Sequence, residues 1–189
     1  MQRMLTLIAM LSCIATASAQ LAVVTDRATD TATDASSWPP VAGVLRHPRC
    51  MNCHPAGDFP RQGDDRHRHQ QLVMRGAADS GVPTLQCSAC HQTKNSEDGK
   101  VPGAPKWHLA PLSMAWENLN DAQLCTALKD TKKNGGKNIE ALVEHMVADP
   151  LVQWAWAPGA RLSPTLPQAD FHAAVRRWAA AGAPCPGGG

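Results

Sequence analysis

The sequence predicts a mainly α, loop-rich single domain, and three observations lead to that fold class. Two segments, residues 139–147 and 171–178, carry apolar residues at the spacing of an amphipathic helix. The chain of 189 residues contains 14 glycines, 15 prolines and only 4% aromatic residues, so we expect many loops and a small conventional core. A Cys-x-x-Cys-His motif occurs twice, at residues 50–54 and 87–91, and no stretch shows the alternation of a β-strand.

Each Cys-x-x-Cys-His motif is the attachment signature of a c-type haem. One helical turn places two thiols at one edge of the porphyrin, where they reach its vinyl groups, and aims the next imidazole at the iron from the same side. The residues concerned are Cys50, Cys53 and His54 in the first motif and Cys87, Cys90 and His91 in the second. We therefore expect a cytochrome c-like chain wrapped around two covalently bound c-type haems, with His54 and His91 as the proximal iron ligands.

Two other chemistries use paired cysteines. A thioredoxin-type redox dithiol lies between a strand and a helix, whereas His47-Pro48 precedes the first motif and Pro55 follows it. A four-cysteine zinc site usually has about 15–20 residues between its two pairs, but residues 54–86 separate the pairs here. Zinc binding also gives no reason for a histidine directly after both pairs, so haem is the preferred interpretation and zinc the main alternative.

The amino terminus has the pattern of a secretory signal. Arg3 is followed by an apolar run and by the small-x-small sequence Ala17-Ser18-Ala19, which predicts cleavage after Ala19 and export to the periplasm. Cys13 leaves a lipoprotein as an alternative, although the residues before it match a lipobox poorly. Export agrees with the haem interpretation, because the resemblance of the motifs to those of c-type cytochromes implies haem attachment outside the bacterial cytoplasm.

After the signal of residues 1–19, the chain is expected to form a flexible leader over residues 20–46 and a dihaem domain over residues 47–189. No later stretch approaches the roughly 20 apolar residues that span a membrane. The net charge of +2 gives no indication of nucleic-acid binding. Cys125 and Cys185 remain once the motifs and the signal are counted, so we expect them to form a disulfide, the alternative being two buried free thiols.

The first candidate distal ligand is His69. The acidic residues 64–65 predict the start of a short helix that ends by Gly76. Within it, His69 shares a face with the apolar residues 72–73, while His67 has an arginine on each side. The alternative is a pair of surface histidines on a basic helix.

The second candidate distal ligand is His108. It stands beside Trp107 between prolines, where little conformational freedom remains to be lost on binding. The alternative is an ordinary polar loop residue. The reserve ligands are His47, His67, His145 and Met146. The candidates for packing against a porphyrin are Trp107, Trp154 and Trp156, with ordinary core packing as the alternative for the last two.

Three helices are predicted after residue 119. Asn120 with Gln123 forms a capping box that starts the first. The second contains the clearest apolar stripe, with Met146 at its centre as a core residue rather than a ligand and His145 at its edge. The third begins at Pro167 and buries the face described above.

With the motif residues in place, the chain resembles small periplasmic dihaem cytochromes c. The motif spacing and proline-rich loops are similar to the dihaem small subunit of periplasmic nitrate reductase, which implies two histidine ligands on each iron and a distal role for His47. The long tail after His108 departs from that family. Residues 106–111 and 142–146 are similar to a bacterial group labelled isoquinoline 1-oxidoreductase subunit, which implies electron acceptance from a periplasmic molybdenum hydroxylase.

These observations favour an electron carrier that moves single electrons between periplasmic redox proteins, with no catalytic residue of its own. The alternative is an enzyme, such as a dihaem peroxidase or a thiosulfate-oxidising type, which needs an open iron site and nearby acid or base groups. Eight histidines make it easy to fill the sixth position of both irons, which favours electron transfer.

Overall fold

The computed structural model describes residues 35–187, and its architecture is mainly helical, with 39% of those residues in helices and 5% in strands. The α-helices are α1 Trp38–Leu45, α2 Pro48–Met51, α3 Asp121–Lys129, α4 Ile139–Ala148, α5 Pro150–Gln153 and α6 Gln168–Ala180. Short 3-10 helices cover Ala35–Ser37, Cys87–Ala89, Leu112–Met114 and Trp154–Trp156. Two antiparallel hairpins consist of β1 Arg61–Gln62 with β2 His67–Arg68, and β3 Gly81–Val82 with β4 Leu85–Gln86.

The core lies where helix α6 packs against α1 and α4. Trp38 of α1 and Trp178 of α6 are both fully buried, with ring centroids 5.4 Å apart. Phe171 and Val175 share the buried face of α6 with Trp178, as the apolar spacing predicts. Burying such large aromatic side chains removes much apolar surface from water, so a few residues stabilise the helical half of the chain.

The prediction of a flexible leader over residues 20–46 is wrong for its last part. Residues 38–45 form α1, in which Trp38 and Val41 are fully buried. Pro39 and Pro40 lie in the first turn of this helix, where a proline costs no hydrogen bond. Residues 1–34, with the predicted signal, its cleavage site, Cys13 and the first part of the leader, lie outside the described residues.

The prediction of a helix opening at residues 64–65 is also wrong, because this segment forms the β1–β2 hairpin. Gly63 and Arg66 have positive φ angles of 75° and 59°, which turn the chain between the two strands. Asp65 accepts hydrogen bonds from the backbone N–H of His67 and from its ring. A local turn stabilised by an aspartate therefore prevails over the helical first-turn pattern. The second hairpin, likewise not predicted, leads directly into the second motif.

The three predicted C-terminal helices are confirmed. Asn120 and Gln123 form the reciprocal capping box at the start of α3. Met146 is buried in the core on the inner face of α4. The last helix begins one residue after Pro167, which occupies the cap position. Trp154 and Trp156 lie in the 3-10 helix that follows α5.

A disulfide joins the helical core to the carboxyl-terminal segment. The Sγ atoms of Cys125 in α3 and Cys185 are 2.00 Å apart, and 60 residues separate the two cysteines. These are the cysteines that remain after the two motifs and Cys13 of the predicted signal are set aside, so the predicted disulfide is confirmed. Between residues 35 and 187, no helix has the length and apolar character needed to cross a membrane.

Candidate functional site

Both Cys-x-x-Cys-His motifs form a single helical turn, as their spacing predicts. In the first, His47 caps α2 by accepting a hydrogen bond from Arg49 N, and Cys53 N donates to Cys50 O at 3.2 Å. In the second, Cys90 N donates to Cys87 O at the same distance. Each turn therefore brings its two thiols to one side, with the motif histidine directly after them.

The two motif histidines have the same hydrogen-bond partner type. His54 Nδ1 lies 2.7 Å from the carbonyl oxygen of Met114, and His91 Nδ1 lies 2.7 Å from that of Pro102. A carbonyl oxygen only accepts, so Nδ1 carries the proton and donates it, and Nε2 keeps a free lone pair. Burial lowers the pKa of His54 to about 3 and also lowers the pKa of His91, so both rings are neutral at ordinary pH. A neutral imidazole oriented through Nδ1 is the form in which histidine binds a metal through Nε2.

Each motif histidine is also stacked on a tryptophan. The ring of His54 lies parallel to that of Trp116, with centroids 3.4 Å apart, and the ring of His91 lies parallel to that of Trp107, with centroids 4.5 Å apart. Stacking fixes the plane of each imidazole, while the carbonyl fixes its rotation. Trp107 was a predicted packing residue, whereas Trp116 was not, because nothing in the local sequence links it to a motif more than 60 positions away.

The first motif opens onto a cavity of about 150 Å³, called the first cavity here. Cys50, Cys53 and His54 line one side of it. Helix α4 contributes His145 and Met146, and Trp156 belongs to the cavity wall. The remaining lining is mostly apolar, from residues that include Leu45, Met114, Leu128, Leu142 and Phe171. The chemistry of this lining, mostly apolar with two thiols and an oriented imidazole, matches what a porphyrin needs from a protein.

The second motif opens onto a cavity of about 220 Å³, called the second cavity here. It is lined by Cys87, Cys90 and His91, by His69 from the first hairpin, and by Trp107 and Trp154. The ring centroids of His69 and His91 are 6.1 Å apart. Nδ1 of His69 is buried and finds no hydrogen-bond partner among residues 35–187. The predicted distal residue therefore does face the second motif, although the helix on which the prediction was based does not form.

The two candidate sites are neighbours, because three residues line both cavities: Arg49, Cys53 and His108. The thiol of Cys87 contributes to the raised pKa of Cys53, which also places the two motifs side by side. Arg49 was not singled out from the sequence. The one sequence feature that could have indicated a role at the site is its position directly before Cys50. An arginine at that position is equally consistent with an exposed loop.

The histidines considered as distal ligands differ in their surroundings. His108 is exposed, and its Nδ1 faces the carbonyl oxygen of Lys106 at 2.5 Å. His145 is half-buried beside the first cavity, and its Nδ1 lies 3.0 Å from Asp149 Oδ2. Burial lowers the pKa of His145, against the opposing effect of Asp149. A carboxylate on Nδ1 is the usual outer partner of a metal-binding histidine.

Two of the reserve ligands have other roles. His47 Nδ1 accepts a hydrogen bond from Arg49 N, so in the neutral ring Nε2 carries the proton and cannot bind a metal. His67 pairs with Asp65 and lines neither cavity. Met146 borders the first cavity as part of the core.

The protonation of the motif thiols bears on the alternatives to haem. Burial raises the pKa of Cys50 to about 12 and that of Cys53 to about 11, whereas a redox dithiol needs a stabilised thiolate. All four motif cysteines have free thiols. Within the described part of the chain, no three His, Cys, Asp or Glu side chains converge to hold a metal ion. A haem needs no such cluster from the protein, because the porphyrin supplies four of the nitrogen ligands.

Comparison with known proteins identified no relative of this chain. No protein-family model, curated protein or solved structure matches this chain. The resemblance to dihaem cytochromes therefore rests on the motif residues of the sequence.

Proposed function

We propose that this protein is a periplasmic electron carrier that holds two c-type haems in the neighbouring cavities. Bound there, the haems would supply one-electron redox chemistry at iron. The thiols of Cys50 and Cys53 would attach one group and those of Cys87 and Cys90 the other. His54 and His91 would be the proximal ligands.

The observation that supports the proposal most strongly is the matched environment of His54 and His91. Each follows a free thiol pair on a single helical turn and donates its Nδ1 proton to a carbonyl oxygen at 2.7 Å. Each also lies parallel to a tryptophan ring. Two unrelated pieces of chain thus orient two imidazoles in the same way, with Nε2 left free. This repetition fits a pair of sites with the same chemistry.

The distal ligands follow from which histidines border each cavity. His69 faces His91 across the second cavity. Both His108 and His145 border the first cavity, and we favour His145 because it is less exposed and its Nδ1 has a carboxylate partner. Two histidines on each iron would leave no open coordination position, which suits electron transfer rather than chemistry at the metal.

The partners belong to the same proposal. Periplasmic redox proteins would exchange electrons with this protein, and the resemblance of residues 106–111 and 142–146 points to a molybdenum hydroxylase as donor. Three residues border both cavities, namely Arg49, Cys53 and His108. An electron would therefore have only a short distance to travel from one haem to the other within this protein.

The test is an intact mass and an absorption spectrum of the protein produced in a periplasm that attaches haem. We expect the mass of two haems and a six-coordinate low-spin spectrum. The double variants Cys50→Ser/Cys53→Ser and Cys87→Ser/Cys90→Ser should each lose one haem, while Cys125→Ser/Cys185→Ser should keep both. Protein that contains zinc, or no covalent haem, would overturn the proposal.

Carbon monoxide distinguishes the carrier from a dihaem enzyme. A peroxidase or thiosulfate-oxidising type needs one displaceable position on iron, so its reduced form would bind the gas. We expect neither reduced haem of the wild-type protein to bind carbon monoxide. Binding at one haem would favour the enzyme.

A further inference from the structure

Arg49 is a buried cation between the two cavities. Its side chain is 2% exposed, and it lines both the first and the second cavity. Taking a guanidinium out of water is costly unless its hydrogen-bonding groups are occupied, and arginine keeps its charge even when buried. The partners of this side chain therefore indicate what else it binds.

Within residues 35–187, Nη2 is the one side-chain nitrogen of Arg49 that donates hydrogen bonds. Nη2 donates to Asp64 Oδ1 at 2.5 Å and to the carbonyl oxygen of Gly63 at 2.9 Å. Nε is buried and has no hydrogen-bond partner within residues 35–187. The guanidinium carbon lies 5.9 Å from the centroid of the Trp154 ring, which belongs to the wall of the second cavity. A buried N–H without a partner is expensive, so it calls for an acceptor supplied by a bound group.

The other arginines that line the cavities already have their partners. Arg61 Nε donates to Glu117 at 3.2 Å. Arg161 donates to the carbonyl oxygens of Gly99, Pro158 and Lys100. The buried Nε atoms of Arg66 and Arg75 also have no hydrogen-bond partner within residues 35–187, but neither residue lines either of the two cavities. Among the arginines that line the cavities, Arg49 is the one with a buried unused donor and the one that both cavities share.

We propose that Arg49 is a carboxylate-binding residue common to the two sites, and that its free Nε–H takes up a propionate carboxylate of a bound haem. This inference rests on the proposed function, because the propionates are the anionic groups that a haem presents. Both N–H groups of Nη2 are already donated, so the free Nε–H offers a second carboxylate one charge-assisted hydrogen bond beside Asp64. The pair formed by Arg49 and Asp64 is then the electrostatic element that the two sites share.

The proposal has a consequence for both reduction potentials. A fixed positive charge next to a site stabilises the reduced form, which carries one positive charge fewer, and a fixed negative charge does the opposite. Loss of the Arg49 charge should therefore lower the potential of both haems. Loss of the Asp64 charge should raise both, because its carboxylate offsets the guanidinium.

The test is a spectroelectrochemical titration of the dihaem protein and its variants, with the haem content of each determined by mass. We expect Arg49→Gln to lower both midpoint potentials and Asp64→Asn to raise both. Arg49→Lys keeps the positive charge, so its two midpoint potentials should lie close to those of the wild-type protein. The control is Arg161→Gln, which lines only the second cavity and should shift one potential only. Two bound haems with both potentials unchanged in Arg49→Gln would overturn the inference and leave the proposed function standing.

A measurement on the wild-type protein covers the case in which Arg49→Gln does not fold. In reduced protein labelled with ¹⁵N-arginine, we expect the Arg49 Nε–H proton to show nuclear Overhauser contacts to the methylene protons of a haem propionate. Contacts to protein protons alone would overturn the inference. A protein without haem would instead contradict the proposed function.

Discussion

The imidazole of His69 lies 6.1 Å from that of His91, measured between ring centroids, and the two ring planes are inclined at 73°. Imidazole nitrogen binds metals at about 2.0 Å, which places the centroids of two rings on opposite sides of one metal roughly 6 Å apart. Burial lowers the pKa of His69, and the neighbouring His91 lowers it further, so this ring is also in the neutral form that a metal requires. The separation fits two axial ligands of one iron.

His69→Ala should open the second site, since His69 is the residue that faces His91. We expect one of the two haems to become five-coordinate and to bind carbon monoxide after reduction. The matched control is His67→Ala, two residues earlier in the same hairpin, which borders neither cavity and should leave both haems six-coordinate. Equal spectra for the two variants would remove His69 from the coordination shell.

His145→Ala should open the first site in the same way. His145 is half-buried and anchored by Asp149, whereas His108 is exposed. We expect carbon monoxide to bind one haem in His145→Ala and neither in His108→Ala. The reverse pattern would make His108 the ligand, as the sequence alone predicts.

Local sequence patterns predict the helical half of this chain well. The capping box at Asn120 and the apolar stripe around Met146 each involve residues only a few positions apart, and both predictions are confirmed. The hairpin that carries His69 was missed because strands of two residues leave no periodic signal. Glu117, whose carboxylate accepts hydrogen bonds from two arginines of this hairpin, lies far away in the chain.

The candidate site shows the same division between local and distant information. The motifs identify His54 and His91 because attachment chemistry fixes the spacing within one turn. The groups that orient these rings, such as Trp116 and the carbonyl oxygen of Met114, come from a segment about 60 residues away. No local pattern marks a backbone carbonyl as a partner, so the surroundings of the site emerge only from the fold.

Glu117 anchors the first hairpin to the first motif. Its side chain is 15% exposed and accepts hydrogen bonds from Arg61 and Arg66 of the hairpin and from Ala56 N. Burial alone would raise the pKa of Glu117, but these donors outweigh it, and the pKa lies below its ordinary value. We expect Glu117→Gln to lower the free energy of unfolding of the dihaem protein by about 1–2 kcal/mol at pH 7.

The pH dependence of this effect has a definite sign. A carboxyl group with a lowered pKa in the folded state stabilises the protein fully above its ordinary value of 4.5, and the contribution disappears as the pH falls through the folded pKa. The difference between wild type and Glu117→Gln, measured by urea unfolding, should therefore shrink on acidification below that value. The exposed Glu97 provides the control, since Glu97→Gln should change stability little at any pH. A difference that stays constant down to pH 3 would contradict the role given to the carboxylate.

The disulfide should stabilise the whole helical half, because it closes a loop of about 60 residues that contains α4 to α6. The chain-entropy estimate for such a loop is about 4 kcal/mol. Cys125 is fully buried, and its partner Cys185 directly follows Pro184, whose carbonyl oxygen accepts a hydrogen bond from the ring N–H of Trp178. We expect Cys125→Ala/Cys185→Ala to lose up to that amount in urea unfolding while keeping two haems. Wild-type protein treated with a reductant should lose a similar amount, and the double variant should not respond to it. Equal stability of wild type and double variant would show that packing around Trp178, rather than the covalent link, holds the carboxyl-terminal segment in place.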